Sequence, residues 1–543
     1  MAKFSGAAPR RAAVSGVIGQ GLTHEGGTGV KYDARTELWN LVTASMVGGE
    51  KSFYENGEVR DQRVVSLTRA IVGQPGGFEW LCGFVPFLRN EMFMRTAPVM
   101  VAAEAAKARQ ELVRAGKAPA VQHGLTVRFI VFHAIGRVDE LAEFIGYWRM
   151  RFGRTIPGGV QRGLADAASA MLNEYTALKY DGSGRDIRIG DVINILHPEP
   201  SAPWQSDMFR YFLDRRHHSG DIRVDTFRLP MISARVVMEG MSKEQRETLA
   251  ASPGFSGALK DAGMTWENVA GWLQRELTAK EWEALIPTMG YMALLRNLRN
   301  FDKAGISPAA VLAVCDRLAD PAQVAKSKQF PYRFYTAYWA ANESFRWADT
   351  LSVALDLSTK NVPVLDGKTL VLVDTSGSMG APISERSTVQ YVDIAALIGS
   401  VIASGNPDGV DVVAFANTAY KVEFPTRSNV LRNVDKIRSE VGKVGHGTNI
   451  GSAQPFVAGH KRVIIVSDMQ DVAGLTGGRA HYYYGSGLSV PADVVTYSFN
   501  LAGNEHGIVD TNKPNRYNLA GFSDAAFRMM AMVEAGKDQK WPF

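Results

Sequence analysis

Asp374-Thr375-Ser376-Gly377-Ser378 puts a carboxylate and two hydroxyls on five consecutive residues, directly behind the apolar run Thr369-Leu370-Val371-Leu372-Val373. Gly377 permits a sharp turn between the two serines. An oxygen-only donor set of this kind suits a hard divalent cation, Mg²⁺ first, which takes few protein ligands and keeps several waters. Asp and Ser also serve ordinary turns and helix N-caps, so the loop alone does not decide. Two further elements extend the pattern. Val444-Gly445-His446-Gly447-Thr448-Asn449 is a Gly-rich loop presenting the Thr448 hydroxyl, and Val463-Ile464-Ile465-Val466-Ser467-Asp468 is a second apolar run that ends in an acid. Signatures of catalysis are missing from the sequence. No G-x-x-x-x-G-K-[ST] phosphate loop occurs, and neither Ser376 nor Ser378 lies in a G-x-S-x-G turn. His217 and His218 are adjacent, so on a helix they point apart and make a poor metal pair. No catalytic residue is assigned, and the chain is expected to bind rather than to react.

Around residues 360–368 the pattern changes character. Pro363, Asp366 and Gly367 mark a linker, and strand-like runs then alternate with helical ones. Val410–Phe415, Val463–Val466 and Val494–Phe499 predict strands. Thr388–Ala403, Leu431–Val441, Ile450–Ala458 and Ser523–Glu534 predict helices. This alternation argues for a parallel sheet covered on both faces, with ligands at the carboxyl ends of its strands. Between these elements, His481-Tyr482-Tyr483-Tyr484-Gly485 is an aromatic loop whose rings could pack on the fold or stack on a base. The preceding 330 or so residues read as helix after helix. Helical spacing appears over Leu38–Val47, Val64–Val72, Pro98–Ala115, Val127–Ala134, Glu140–Phe152, Leu164–Leu178, Pro308–Leu318 and Phe334–Leu351. Only Val224–Ile232 suggests a strand. Many helices with short connections predict a solenoid of antiparallel helix pairs.

At 543 residues the chain is too long for one core. Hydrophobic residues are 46% and charged residues 21%, an ordinary folded composition. No segment reaches the ~20 apolar residues of a membrane span, and the first 20 residues lack the apolar core of a secretory signal. Cys82 and Cys315 sit in apolar contexts and read as buried thiols, which suits a reducing, cytoplasmic setting. The net charge is +5, and the excess lies before residue 360. Within it Arg149, Arg151, Arg154 and Arg162 form a basic run, with Arg151 and Arg154 on one face if the helix continues. Arg215-Arg216-His217-His218 forms another. Such clusters serve equally as a solvated face or a phosphate-binding strip.

The order strand–Asp374-x-Ser376-x-Ser378, then loop Thr448, then strand–Asp468 resembles the metal-ion-dependent adhesion site of von Willebrand factor A domains. That resemblance implies Asp374, Ser376, Ser378, Thr448 and Asp468 as ligands of a divalent cation, most simply Mg²⁺. The helical part carries Leu41–Tyr54 with its Gly48-Gly49 turn, Arg95-Thr96-Ala97-Pro98, Asp191–Pro198 and Ile286–Leu298. Together with the A-type domain, these stretches resemble the TROVE-domain family of the Ro autoantigen and its bacterial Ro-sixty-related members. The implied organisation is a flexible arm over 1–30, an all-α HEAT-like helical-repeat ring over 31–362, and an α/β, Rossmann-type A domain over 363–543. The implied function is a monomeric RNA-binding ring without catalytic activity. It would hold Y or Y-like noncoding RNA on its outer surface and single-stranded 3′ ends of misfolded RNA in its central hole. It would serve RNA quality control, with an RNA tether to polynucleotide phosphorylase as a further implied partner. For the Y RNA surface, His197 matches the family position directly. Lys179 and Arg185 match with a one-residue shift, and Arg188, Arg151, Arg154 and Arg162 lie nearby. Without the resemblance, His197 reads as a helix-end residue bonding the last carbonyls. A second functional reading is a metal-dependent protein-interaction module, in which the A domain grasps a partner's carboxylate and the helices are a platform.

Overall fold

The computed structural model describes every residue except 1–16, 23–27, 45–56, 93, 183, 218–223, 328, 330, 342–344, 362–364, 384–388, 407–408, 426–427, 471–486, 503–505, 510–512, 514, 521–526, 528–529, 531–540 and 542. The aromatic loop at 481–485 and most of the helix expected over 523–534 lie outside the described residues. Two strands open the described chain, β1 (Val17–Leu22) and β2 (Thr28–Tyr32), paired antiparallel. The arm expected over 1–30 therefore contains a β-hairpin, whose short Gly-rich strands carry little apolar alternation to announce them.

Ten helices follow: α1 (Ala34–Ala44), α2 (Gly57–Val72), α3 (Gly77–Asn90), α4 (Thr96–Arg114), α5 (Val127–Ala134), α6 (Asp139–Phe152), α7 (Gly158–Met171), α8 (Glu174–Tyr180), α9 (Ile189–Leu196) and α10 (Pro203–His217). Nine further α-helices, α11 to α19, lie between Pro230 and Ser327, and α20 (Pro331–Ala340) and α21 (Ala348–Ser358) complete the run. Helices pack on near neighbours in sequence: α1 on α2, α2 on α4, α5 on α7 and α9 on α10. This is the quasi-one-dimensional contact pattern of a helical stack.

Three expectations need correction. The run Leu164–Leu178 is two helices. Asn173 breaks it by capping α8, its side chain accepting from the Thr176 N–H at 2.9 Å while Thr176 Oγ1 accepts from the Asn173 N–H at 3.0 Å. Phe334–Leu351 is likewise split between α20 and α21. The strand suggested over Val224–Ile232 is a turn leading into the helix Pro230–Glu239, with Pro230 at a favoured first helical position.

The α/β unit carries β3 (Thr369–Asp374), β4 (Val410–Phe415), β5 (Ala419–Lys421), β6 (Arg462–Ser467), β7 (Val495–Asn500), β8 (His506–Gly507) and β9 (Arg516–Ala520). The main sheet runs β5-β4-β3-β6-β7-β9, with β5 antiparallel to β4 and the other pairs parallel. Between strands lie α22 (Tyr391–Gly405), α23 (Val430–Arg438) and α24 (Gln454–Val457). Both faces of β3 are buried: Val371 and Val373 join one apolar cluster, Leu370 and Leu372 the other. A strand buried on both sides reads as a continuous apolar run.

The α/β unit touches both ends of the helical stack. α20 and α21 pack on α22 and α23, and α1 packs on β9. β2 pairs with β8 through Val30–Gly507 and Lys31–His506. At the first junction the Tyr335 hydroxyl donates to Asp393 Oδ1 at 3.2 Å, and Arg438 Nε lies 2.7 Å from the same oxygen. The Arg438 guanidinium also stands 5.1 Å over the Trp339 ring, a cation–π contact.

Candidate cation site and nucleic-acid interface

The sheet order places β3 between β4 and β6. The chain moves from β3 to one side and later returns to the other, so the β3–β6 boundary is a topological switch point. In the register of this pair Val373 lies opposite Val466. Asp374 and the Ser467-Asp468 step therefore leave the sheet side by side. Ser467 Oγ donates to Asp374 Oδ2 at 2.6 Å, and the Ser376 N–H donates to Asp374 Oδ1 at 2.9 Å. The hydroxyls of Ser376 and Ser378 are 3.4 Å apart. Adjacent ligands of octahedral Mg²⁺, at ~2.1 Å from the ion, stand roughly 3 Å apart, so this pair is close to the spacing one cation needs.

The second loop is docked onto the first. The Gly377 N–H donates to the His446 carbonyl at 2.9 Å, and Asn417 Oδ1 accepts from the Gly447 N–H at 2.7 Å. A Cβ on Gly447 would lie 2.6 Å from Asn417 Oδ1, and Gly445 has φ +93°. Both glycines are therefore required by the close packing that brings Thr448 in, and Thr448 itself is buried. Asp468, also buried, is followed by Met469 at φ +66°, a left-handed conformation that non-glycine residues seldom adopt. The Met469 N–H donates to Ser467 Oγ at 2.9 Å, which holds the turn.

Asp374 is fully buried, and burial pushes its carboxyl above the usual carboxylate range against the opposing hydrogen bonds from Ser376 and Ser467. Among the described residues it has no ion-pair partner. A buried carboxylate without a cation is costly, and the carboxylates of Asp374 and Asp468 with the hydroxyls of Ser376, Ser378 and Thr448 are, by donor chemistry, a set that would suit a divalent ion. One contributor escapes sequence reasoning. Tyr391, at the start of α22, is pushed upward by burial. Arg60 of α2 opposes this shift and Asp468 adds to it. Arg60, a buried residue of the helical stack, thus acts on Tyr391 across a sequence separation that no local pattern reports.

The basic candidates divide into two groups. Arg188 Nε lies 3.3 Å from Asp181 Oδ1, its Nη2 bonds Asp181 Oδ2, and the Ile189 N–H donates to the same carboxylate at 3.1 Å. The guanidinium is 15% exposed and the Asp181 side chain 4%. Arg188 is thus committed to neutralising a buried acid. Arg151 behaves similarly, its Nε 3.2 Å from buried Glu104, which also accepts from the Tyr147 hydroxyl at 2.9 Å. The expected shared face of Arg151 and Arg154 does not form. α6 stops at Phe152, Gly153 turns the chain at φ +88°, and Arg154 lies in the following loop.

In the second group, Arg154, Arg162 and Arg185 are exposed and make no ion pair among the described residues. Lys179 is half-buried beside the rings of Tyr175 and Tyr180, at 5.7 and 5.3 Å from their centroids. His197 ends α9 in the left-handed conformation, φ 50°, with its N–H bonded to the Ile193 carbonyl at 2.9 Å. Its backbone performs the helix-end role while its ring faces a cleft of about 660 Å³ between α9 and α10.

Asn194, Ser206, Arg210, Asp214 and His217 supply the polar wall of that cleft. Ser206, Arg210 and His217 recur at helical spacing on α10, a signal available in the sequence. The adjacent-cluster reading missed it. Arg215 and Arg216 turn elsewhere, Arg215 Nη2 to Glu239 at 3.1 Å and Arg216 Nε to Asp191 at 2.9 Å. His218 lies outside the described residues.

Residues 259–364 match the family model of the TROVE domain. The matched segment contains Ile286–Leu298 and stops short of β3. Over 84% of its length the chain superposes on 93% of the Ro (RSR) protein of Deinococcus radiodurans, whose crystal structure is known, with a TM-score of 0.52 and 18% sequence identity. Among curated protein sequences the chain has no match. Among the described residues no helix is long and apolar enough to cross a membrane.

Proposed function

We propose that this chain, a TROVE-domain protein with the fold of a bacterial Ro protein, is an RNA-binding scaffold without catalytic activity of its own. The observation that carries this reading is the α9–α10 cleft. It is lined by His197 at the end of α9 and by Arg210 and His217 of α10, and the half-buried Lys179 and exposed Arg185 precede it in sequence. Phosphates of a structured RNA, a Y-like noncoding RNA in this reading, would be held by these cations, with aromatic and apolar neighbours beneath. The helical stack, engaged at both ends by the α/β unit, would act as a ring that takes single-stranded 3′ ends of misfolded RNA into its hole. RNA quality control in the cytoplasm, with a nuclease such as polynucleotide phosphorylase tethered through the bound RNA, is the role this architecture serves best. The Asp374 site would hold one Mg²⁺ through Asp374, Ser376, Ser378, Thr448 and Asp468, and the bound ion would supply a coordination position for an acidic group.

A gel shift tests the reading. A duplex with a single-stranded 3′ tail is expected to bind at physiological salt, and the blunt duplex more weakly. Binding that ignores the tail and vanishes at physiological salt would leave only a weakly basic surface. A second reading, a metal-dependent protein-interaction module, draws on the buried, unneutralised Asp374. It would be favoured if Asp374→Ala abolished capture of a protein partner while RNA binding was absent from the wild type.

A further inference from the structure

Trp541 and Phe543 occupy an aromatic cradle on the first helices of the stack. The Phe543 ring lies 6.2 Å from Trp39 in a stacked arrangement, 5.5 Å from Trp80 edge-on, 5.6 Å from Phe84 and 5.4 Å from Phe87, centroid to centroid. Trp541 stands 5.6 Å from Trp39 and 5.0 Å from Trp80, edge-on to the latter. These separations and tilts are those at which aromatic pairs attract beyond simple burial. Gly83 is shaped to the occupant. It sits inside α3, where glycine weakens a helix, and a Cβ there would lie 2.6 Å from Phe543 Cδ2. All four cradle rings are buried with the occupant in place. Without it they would form a contiguous apolar patch of the kind that marks an interaction site. The cradle adjoins the junction at which α1 packs on β9.

We propose that the cradle is a binding site for an aromatic-x-aromatic peptide, filled by the chain's own Trp541–Phe543, and that this contact is a releasable clasp across the junction. Its occupant is held in cis at an effective concentration in the millimolar range. A peptide of the same chemistry supplied in trans therefore binds an emptied cradle well and the intact protein poorly.

The test uses hydrogen exchange on three proteins: the full chain, the chain lacking residues 541–543, and the full-length Gly83→Leu variant. Removing the occupant is expected to speed amide exchange over 34–44 and 516–520 by tenfold or more, with little change over 308–318. The peptide Gln-Lys-Trp-Pro-Phe should restore protection to the truncated chain, and bind it at least tenfold more tightly than the intact one. Gly83→Leu should exchange like the truncated chain and stay unresponsive to the peptide. If truncation leaves exchange over 34–44 unchanged, the clasp does not exist. If truncation loosens the whole chain, peptide rescue decides: restored protection upholds the site, and failure to restore it overturns it.

Discussion

The α/β loop cluster and the basic helical surface are built on opposite principles. At the first, every candidate ligand named from the sequence is buried, and the loops that carry them are pinned by neighbours: Asp374 by Ser467, Gly377 by His446, Gly447 by Asn417. At the second, the candidates are spread over four helices and their loops, and two of the strongest, Arg188 and Arg151, are spent on buried acids. A short motif behind a buried strand brings its own geometry. A basic run in a helical stack does not, because the partner of each cation is decided by helices packed beside it. The useful charge is what remains after internal acids are neutralised: here Arg154, Arg162 and Arg185 on the surface and Arg210 in the α9–α10 cleft.

The sharpest way to break this contrast is to remove a cation assigned to structure. Arg188→Ala leaves Asp181 buried with, among the described residues, Arg215 as its remaining ion-pair partner, Nε at 3.7 Å. A loss of about 3 kcal/mol is expected in urea unfolding, with Arg185→Ala within about 0.5 kcal/mol of the wild type. Equal, small effects would show that the two groups are not distinct. Next in size is the cleft. His197→Ala, Arg210→Ala and His217→Ala combined should weaken binding of a stem RNA by roughly a hundredfold at physiological salt. The slope of log affinity against log salt should fall by about 0.9 for each lost phosphate contact.

Asp374→Ala sharpens the comparison from the other side. Mg²⁺ should raise the thermal midpoint of the wild type and leave that of the variant unmoved, while RNA affinity changes by less than about twofold. The smallest effect concerns acid lability within the α/β unit. Burial works against ionisation of Glu440, but Lys436, Lys443 and the Tyr420 hydroxyl hold its carboxyl down at about 2. A depressed carboxylate contributes stability above its unfolded value of 4.5 that is lost as pH falls toward 2. Glu440→Gln should therefore flatten the decline of unfolding free energy over that window.

The sequence was most readable where one physical rule acts alone. Val410–Phe415 is seen at its predicted bounds because Val412 to Phe415 form a continuous buried apolar run behind the half-buried Val410 and Asp411. Pro308–Leu318 is seen because Ser307 and Pro308 announce its start, with Ser307 Oγ accepting from the Ala310 N–H at 3.3 Å. Legibility failed where rules compete. β9 alternates Arg516 and Asn518 with apolar residues, and both polar side chains are nevertheless buried. Alternation of this kind predicts a half-exposed strand, and over five residues it is too short to stand out. Periodicity ran straight through Asn173 because a local cap outweighed it. The buried loop residues Asp374, Ser376, Ser378 and Asp468 could be singled out in the sequence because they follow or end apolar runs, and Thr448 because it follows a Gly-rich loop. Arg60 could not, since its relevance arises only when distant elements meet, and Arg210 was passed over although its helical spacing to Ser206 and His217 stands in the sequence.

The central claim is that RNA affinity resides in the helical cleft and is independent of the Asp374 site. One experiment reaches it: the salt dependence of stem-RNA binding for the wild type, the triple cleft variant and Asp374→Ala, each with Mg²⁺ and with EDTA. The account expects a reduced slope and a large loss of affinity for the cleft variant alone, with Asp374→Ala tracking the wild type in both conditions. A cleft variant that binds like the wild type, or an Asp374→Ala protein that loses RNA as completely as the cleft variant, would contradict it.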